Sequence, residues 1–159
     1  MKIQVLLPMS LLLFLVAGSP VPFQDDHLFQ KMNTVGDLMA KNAQRYPESR
    51  DFIRNGMPIL VDPVMSYEEK VGVLSEYFKT LGNGEWSEEQ LFRKANWLLT
   101  MFNDVEVEFI SKYFGEHPER GRVFFRKCLL RFSQEDYLTA SSENRLKMLK
   151  DLVVEFNQF

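Results

Sequence analysis

His117 and Cys128 are the two side chains whose types suit joint work as base and nucleophile. A thiol attacks as its thiolate, and a neighbouring imidazole can generate one. His27 is the other histidine, and Cys128 is the single cysteine among 159 residues. No third group that would orient His117 stands beside either residue in the sequence. Cys128 instead lies inside Phe124-Phe125-Arg126-Lys127-Cys128-Leu129-Leu130, a setting for a buried thiol that behaves as a small hydrophobe. Metal chemistry fares no better. Asp51-Phe52-Ile53-Arg54-Asn55-Gly56, with Asp62 in twelfth position, has the outline of a calcium loop. Ile53 stands where an oxygen ligand is needed, and Pro58 interrupts the run. No Cys/His spacing suits zinc, and there is no glycine-rich phosphate loop. The expectation is a chain that is not an enzyme, with no catalytic residue, no metal and no cofactor.

Two features rise above this background. The first is aromatic content: 14 Phe, 5 Tyr and 2 Trp. Large rings fill cores efficiently, and they also line apolar ligand pockets. The second is the basic segment 120–131. On a helical wheel Arg120, Lys127 and Arg131 form one strip, and Arg122 and Arg126 another. Phe124, Phe125, Cys128 and Leu129 fill the arc between them. Such a helix can offer an arginine to a ligand carboxylate or make transient contact with an anionic membrane. The plainer alternative is a set of snorkelling arginines paired with acids of the same chain.

The N-terminus bounds the compartment. Lys2 precedes the apolar run Val5–Val16, and Ala17, Gly18 and Ser19 follow. A charged start, a short apolar run and small residues predict a signal peptide over residues 1–18, cleaved after Gly18. The run is too short and interrupted to span a bilayer comfortably. The expected location is therefore secreted and extracellular. Without Lys2 the chain keeps 18 basic residues against 22 acidic, a net charge of −4. That argues against nucleic acid as a partner, which needs a basic footprint. One cysteine permits no internal disulfide, so stability must come from packing.

These side chains need elements to hold them, and the pattern is helical throughout. Ser19-Pro20-Val21-Pro22-Phe23 predicts an extended start. Residues 19–33 are assigned to an N-terminal extension or short helix, and 34–159 to one helical domain that opens at an N-cap, Thr34. Pro47 ends that first helix, and one or two turns follow over 48–54. Met57–Asp62 reads as an extended connector between prolines. Ser66 with Glu69, and Ser87 with Gln90, write two capping boxes. From Ser66, the residues Tyr67, Val71, Leu74, Tyr77, Phe78 and Leu81 share one stripe, and Gly82 stops the helix. From Ser87, Leu91, Phe92, Ala95, Leu98, Leu99 and Phe102 form one broad face, with Trp97 and Met101 opposite. A helix apolar on both sides is buried on both sides, so 88–102 is expected at the centre. Asn103-Asp104 predicts an interruption before a helix over 105–114. Pro118 suits the first turn of a helix to Phe132. Ser133 is taken to cap a short turn or helix to Thr139, and Ser142 to open the last helix. The fold class is all-α: a single-domain irregular bundle of about six to eight amphipathic helices, without disulfides.

Ser66-Tyr67-Glu68-Glu69-Lys70, followed by Leu74 and Glu76, resembles a helix start of the nematode fatty-acid- and retinol-binding proteins. The resemblance covers one short stretch, together with the secreted, helical, disulfide-free architecture. It implies an apolar cavity for a fatty acid or retinol. The leading expectation is a secreted, non-enzymatic carrier of a hydrophobic ligand of that kind. Its pocket is assigned to the faces bearing Leu74, Phe78, Phe92, Leu98, Leu99 and Phe102, with Phe124 and Phe125. Arg122 or Arg126 is assigned to a ligand carboxylate. The rival expectation is a secreted helical effector or interaction module with a closed core.

Overall fold

The computed structural model describes residues 3–16 and 25–157, with side chains from Pro8 to Leu13, at Leu15 and Val16, and from His27 to Asn157. Among them nine helices run in order: α1 (Ile3–Val16), α2 (Asp25–Arg45), α3 (Pro47–Asn55), α4 (Met57–Val61), α5 (Tyr67–Gly82), α6 (Glu88–Tyr113), α7 (Pro118–Phe132), α8 (Glu135–Thr139) and α9 (Ser142–Asn157). No strand occurs among the described residues. The chain is an all-α bundle, and its one cysteine is a free, buried thiol. The expected extended start, 19–23, lies outside the described residues.

The frame is the antiparallel pair α5 and α6. Both helices open on a complete capping box: Ser66 accepts from the Glu69 amide while Glu69 accepts from that of Ser66. Ser87 and Gln90 repeat the arrangement. Each box satisfies backbone donors that a helix start otherwise leaves bare. Between the helices Asn83 takes a left-handed conformation (φ 50°) that closes α5. Trp86 follows, half-buried, with the Lys94 ammonium 4.6 Å from its ring. At 26 residues α6 is the longest element, a rod of about 39 Å. It packs on α5, α7 and α1.

Several boundaries differ from expectation, each for a local reason. Thr34 does not cap: its hydroxyl donates to the Gln30 carbonyl one turn back (2.9 Å), and α2 runs through it without a break. The domain start drawn at residue 34 thus falls inside a helix. Met57–Val61 is helical, because Pro58 occupies the first turn, where a missing amide costs nothing. Asn103-Asp104 does not interrupt α6, since both side chains are exposed and leave the helical bonds intact. Ser133 closes α7 instead of opening α8, and its hydroxyl donates to the Leu130 carbonyl. At the start of α9 it is Ser141 that accepts from the Asn144 amide.

One contiguous core runs through all the helices. Its rings touch in series: Phe102 to Phe125 (5.8 Å between centroids), Phe125 to Phe109 (4.8 Å), Phe124 to Phe156 (5.0 Å). α1 belongs to the same core, with Met9, Leu12 and Leu15 fully buried. The buried Tyr113 hydroxyl donates to the Leu15 carbonyl (2.9 Å), fixing the end of α1 to the end of α6.

Candidate functional site

The residues assigned to a pocket separate into three groups. Leu74, Phe78, Leu98, Leu99, Phe102 and Phe125 are fully buried members of the core. Their faces are turned to one another. Phe92 is 56% exposed and lines nothing internal. Phe92 stands in the first turns of α6, beside residues of the loop and helix start that are themselves exposed, and Trp97, on the opposite side, is half-exposed. The second apolar side is covered only in part: Met101 is half-buried and Trp97 half-exposed. Phe124 alone of the group reaches an open cleft.

Arg122 and Arg126 meet a carboxylate, but it is the chain's own. Glu106 on α6 is 5% exposed. It accepts two bonds from Arg126, Nε to Oε2 at 2.8 Å and the Nη2 group to Oε1 at 3.1 Å. This fork geometry is the strong form of an arginine–carboxylate pair. The Arg122 guanidinium lies 3.5 Å from the same Oε1 and also pairs with Glu119 at 2.8 Å. Nearby, buried Lys70 donates to the Leu60 carbonyl at 2.8 Å. Burial lowers its ammonium pKa, and the Arg126 charge lowers it further, against the opposing pull of Asp62 and Glu106. Asp62 accepts from the amides of Val64 and Met65, which holds its carboxyl below the usual range. The cluster ties α4, α5, α6 and α7 together through charge. Position 106 falls four residues beyond the expected end of the central helix, so sequence reasoning missed it. A lone Glu between Val105 and Val107 was the available signal.

The cleft lies at one end of the bundle, where the start of α2, the end of α6, the start of α7 and the end of α9 converge. It encloses about 560 Å³. Its floor is aromatic: Phe114, Phe124 and Phe156, with Phe114 and Phe124 centroids 5.6 Å apart. Leu28 and Val153 add aliphatic wall, and Tyr113 closes the inner end. Lys112, His117 and Arg120 stand around the lip, with Glu116 the opposing acid. Arg120 lies over the Phe156 ring, 4.4 Å from its centroid, and reaches Asn157 at 3.4 Å. Pro118 starts α7 directly below the lip, so the turn 114–117 presents Phe114 inward and His117 outward. An apolar floor with few polar groups at the rim is the usual build of a small-molecule site.

His117 and Cys128 do not form a catalytic pair. Three turns of α7 separate them, about 16 Å along the axis. Cys128 is buried, and burial pushes its thiol above the ordinary value. Among the described residues no cluster of three or more His, Cys, Asp or Glu is placed to hold a metal ion. Nor is any described helix long and apolar enough to cross a membrane. No family model, no curated protein and no solved structure matches the chain.

Proposed function

We propose that the protein is a secreted, non-enzymatic carrier of a hydrophobic ligand with an anionic head, of the fatty-acid class. The observation that carries this reading is the cleft: about 560 Å³ with an aromatic floor and a lip bearing Lys112 and Arg120. The volume lies within the range usual for ligand sites, roughly 300–1,000 Å³. An aliphatic chain removes its own surface and that of Phe114, Phe124 and Phe156 from water. A carboxylate at the lip then meets cationic side chains while still hydrated. This location replaces the interior faces first assigned to the ligand, whose side chains fill one another's space. Retinol, uncharged, fits the floor but makes no use of the lip. The resemblance around Ser66–Glu76 points to the same ligand class. Titration with 11-(dansylamino)undecanoic acid tests the proposal. A blue-shifted, saturable emission that oleate displaces is the expected result. A flat titration would remove the carrier reading and favour the interaction-module alternative, for which exposed Phe92 and Trp97 are the natural contacts.

A further inference from the structure

α6 carries a second apolar face, bearing Trp97, Met101 and Val105. Leu13 of α1 shares a shallow surface pocket with all three. α1 is apolar apart from Gln4 and Ser10, and it enters the core through Met9, Leu12 and Leu15. Its far end meets Tyr113, whose hydroxyl donates to the Leu15 carbonyl. Tyr113 also closes the inner end of the cleft. The space filled by α1 and the space of the cleft therefore adjoin at one side chain.

Residues 3–16 also fall within the segment that the sequence predicts to be removed by cleavage after Gly18. Removing α1 leaves the facing surfaces of α2, α3 and α6 without a cover. Bare apolar walls in water are unfavourable, so the groove must collapse or be filled. We infer that the groove beneath α1 is the aliphatic-chain channel of the cleaved protein, entered through the cleft at Tyr113. α1 is then a plug that occupies the channel before cleavage, and a fatty acyl chain takes its place afterwards. The 14-residue helix is about 21 Å long, room for an extended long acyl chain whose carboxylate stays at the Lys112–Arg120 lip. This inference rests on the carrier reading.

The test compares residues 1–159 made in two ways. Secretion from cultured eukaryotic cells gives the processed form, whose N-terminus is read by mass spectrometry. Cytosolic expression gives residues 1–159 uncleaved. Each form is titrated with 11-(dansylamino)undecanoic acid and chased with oleate. A plug docked nine-tenths of the time lowers apparent affinity about tenfold, so the secreted form should bind at least about tenfold more tightly. Met101→Glu on the groove wall should weaken binding to the secreted form about tenfold. Leu12→Asp in the uncleaved chain should loosen the plug and raise its affinity toward that of the secreted form. Equal affinities in the two forms with Met101→Glu silent would overturn the inference and leave the carrier reading standing. A secreted product still beginning at Met1 would overturn it as well, as would loss of cooperative folding in Leu12→Asp, which makes α1 an integral core helix. Absence of binding in both forms would remove the carrier reading itself.

Discussion

Replacing Glu106 by glutamine should destabilise the fold more than almost any other single polar change. The carboxylate is 5% exposed and receives both arms of the Arg126 fork, with Arg122 close to one of the same oxygens. Glutamine keeps the shape and one acceptor but removes the charge. Arg126 then faces a neutral amide, near the charges of Arg122 and Lys70. Breaking one side of a fully buried pair costs about 3–5 kcal/mol. Arg126 retains 22% and Arg122 41% of their side-chain surface in solvent, which softens the loss. The expected cost is about 2–3 kcal/mol, a drop in Tm of about 5–10 °C for a chain of this size. Urea denaturation followed by circular dichroism measures it. A double-mutant cycle with Arg126→Gln should return a coupling of about 2 kcal/mol. A loss below about 0.5 kcal/mol, the range of ordinary surface changes, would refute the reasoning. Arg126 would then be open to a ligand carboxylate after all, and Arg126→Gln should weaken binding of a fatty-acid probe.

Arg120→Glu at the cleft lip should raise the Kd for a carboxylate probe about five- to tenfold and leave retinol within about twofold, as expected for one partly exposed charge; parallel fluorescence titrations read both. Gly36→Ala should cost about 1–3 kcal/mol in urea denaturation, because an added methyl would overlap the Tyr137 hydroxyl and come within 2.8 Å of the Phe132 ring, both fully buried. Asp37 should govern the acid limb of stability: burial alone would raise its carboxyl pKa, but bonds from Arg145, Lys41 and Ser142 outweigh that and lower it from 3.8 to about 2. Its contribution is therefore complete above pH 4 and is lost as pH falls from there toward 2, and Asp37→Asn should flatten this limb and cost about 1 kcal/mol at neutral pH after allowance for solvent screening. Cys128 should resist Ellman's reagent in the native protein and react at once in denaturing urea, because it is buried and its thiol is held protonated.

The helices were legible wherever the signal was local. Ser66 with Glu69 and Ser87 with Gln90 mark starts through bonds made within one turn, Pro118 marks one through its fixed φ and missing amide, and all three stand where the sequence places them. Thr34, Asn103 and Met57–Val61 were misjudged because their outcome depends on what the neighbouring turns do. The Thr34 oxygen could accept from an amide ahead of it as a cap, or its hydroxyl could donate to a carbonyl one turn back, and α2 begins early enough to supply that carbonyl. The site was less legible still. The sequence assigns Phe124 to a ligand pocket and the structure places it on the cleft floor, but its neighbours Phe114, Phe156 and Leu28 come from three other segments of the chain. No periodicity within one element reports such a convergence. The sequence assigns Arg122 or Arg126 to a ligand carboxylate, whereas in the structure both meet a carboxylate of the chain itself. The partner, Glu106, lies 16 and 20 residues away on another helix. Charge spacing along α7 alone carries no trace of it.

The two tryptophans sit where they can report on separate events. Trp86 lies at the α5–α6 turn, half-buried beneath the Lys94 ammonium. Its emission follows the integrity of that hairpin, and the nearby cation supplies a quenching signature. Trp97 is half-exposed at the edge of α1, in the same shallow pocket as Leu13. Its emission follows how well that edge is covered. Since the sequence has no other tryptophan, single Trp→Phe substitutions at 86 and 97 divide the intrinsic fluorescence into two channels. The hairpin and the α1 groove can thus be watched independently in one unlabelled chain.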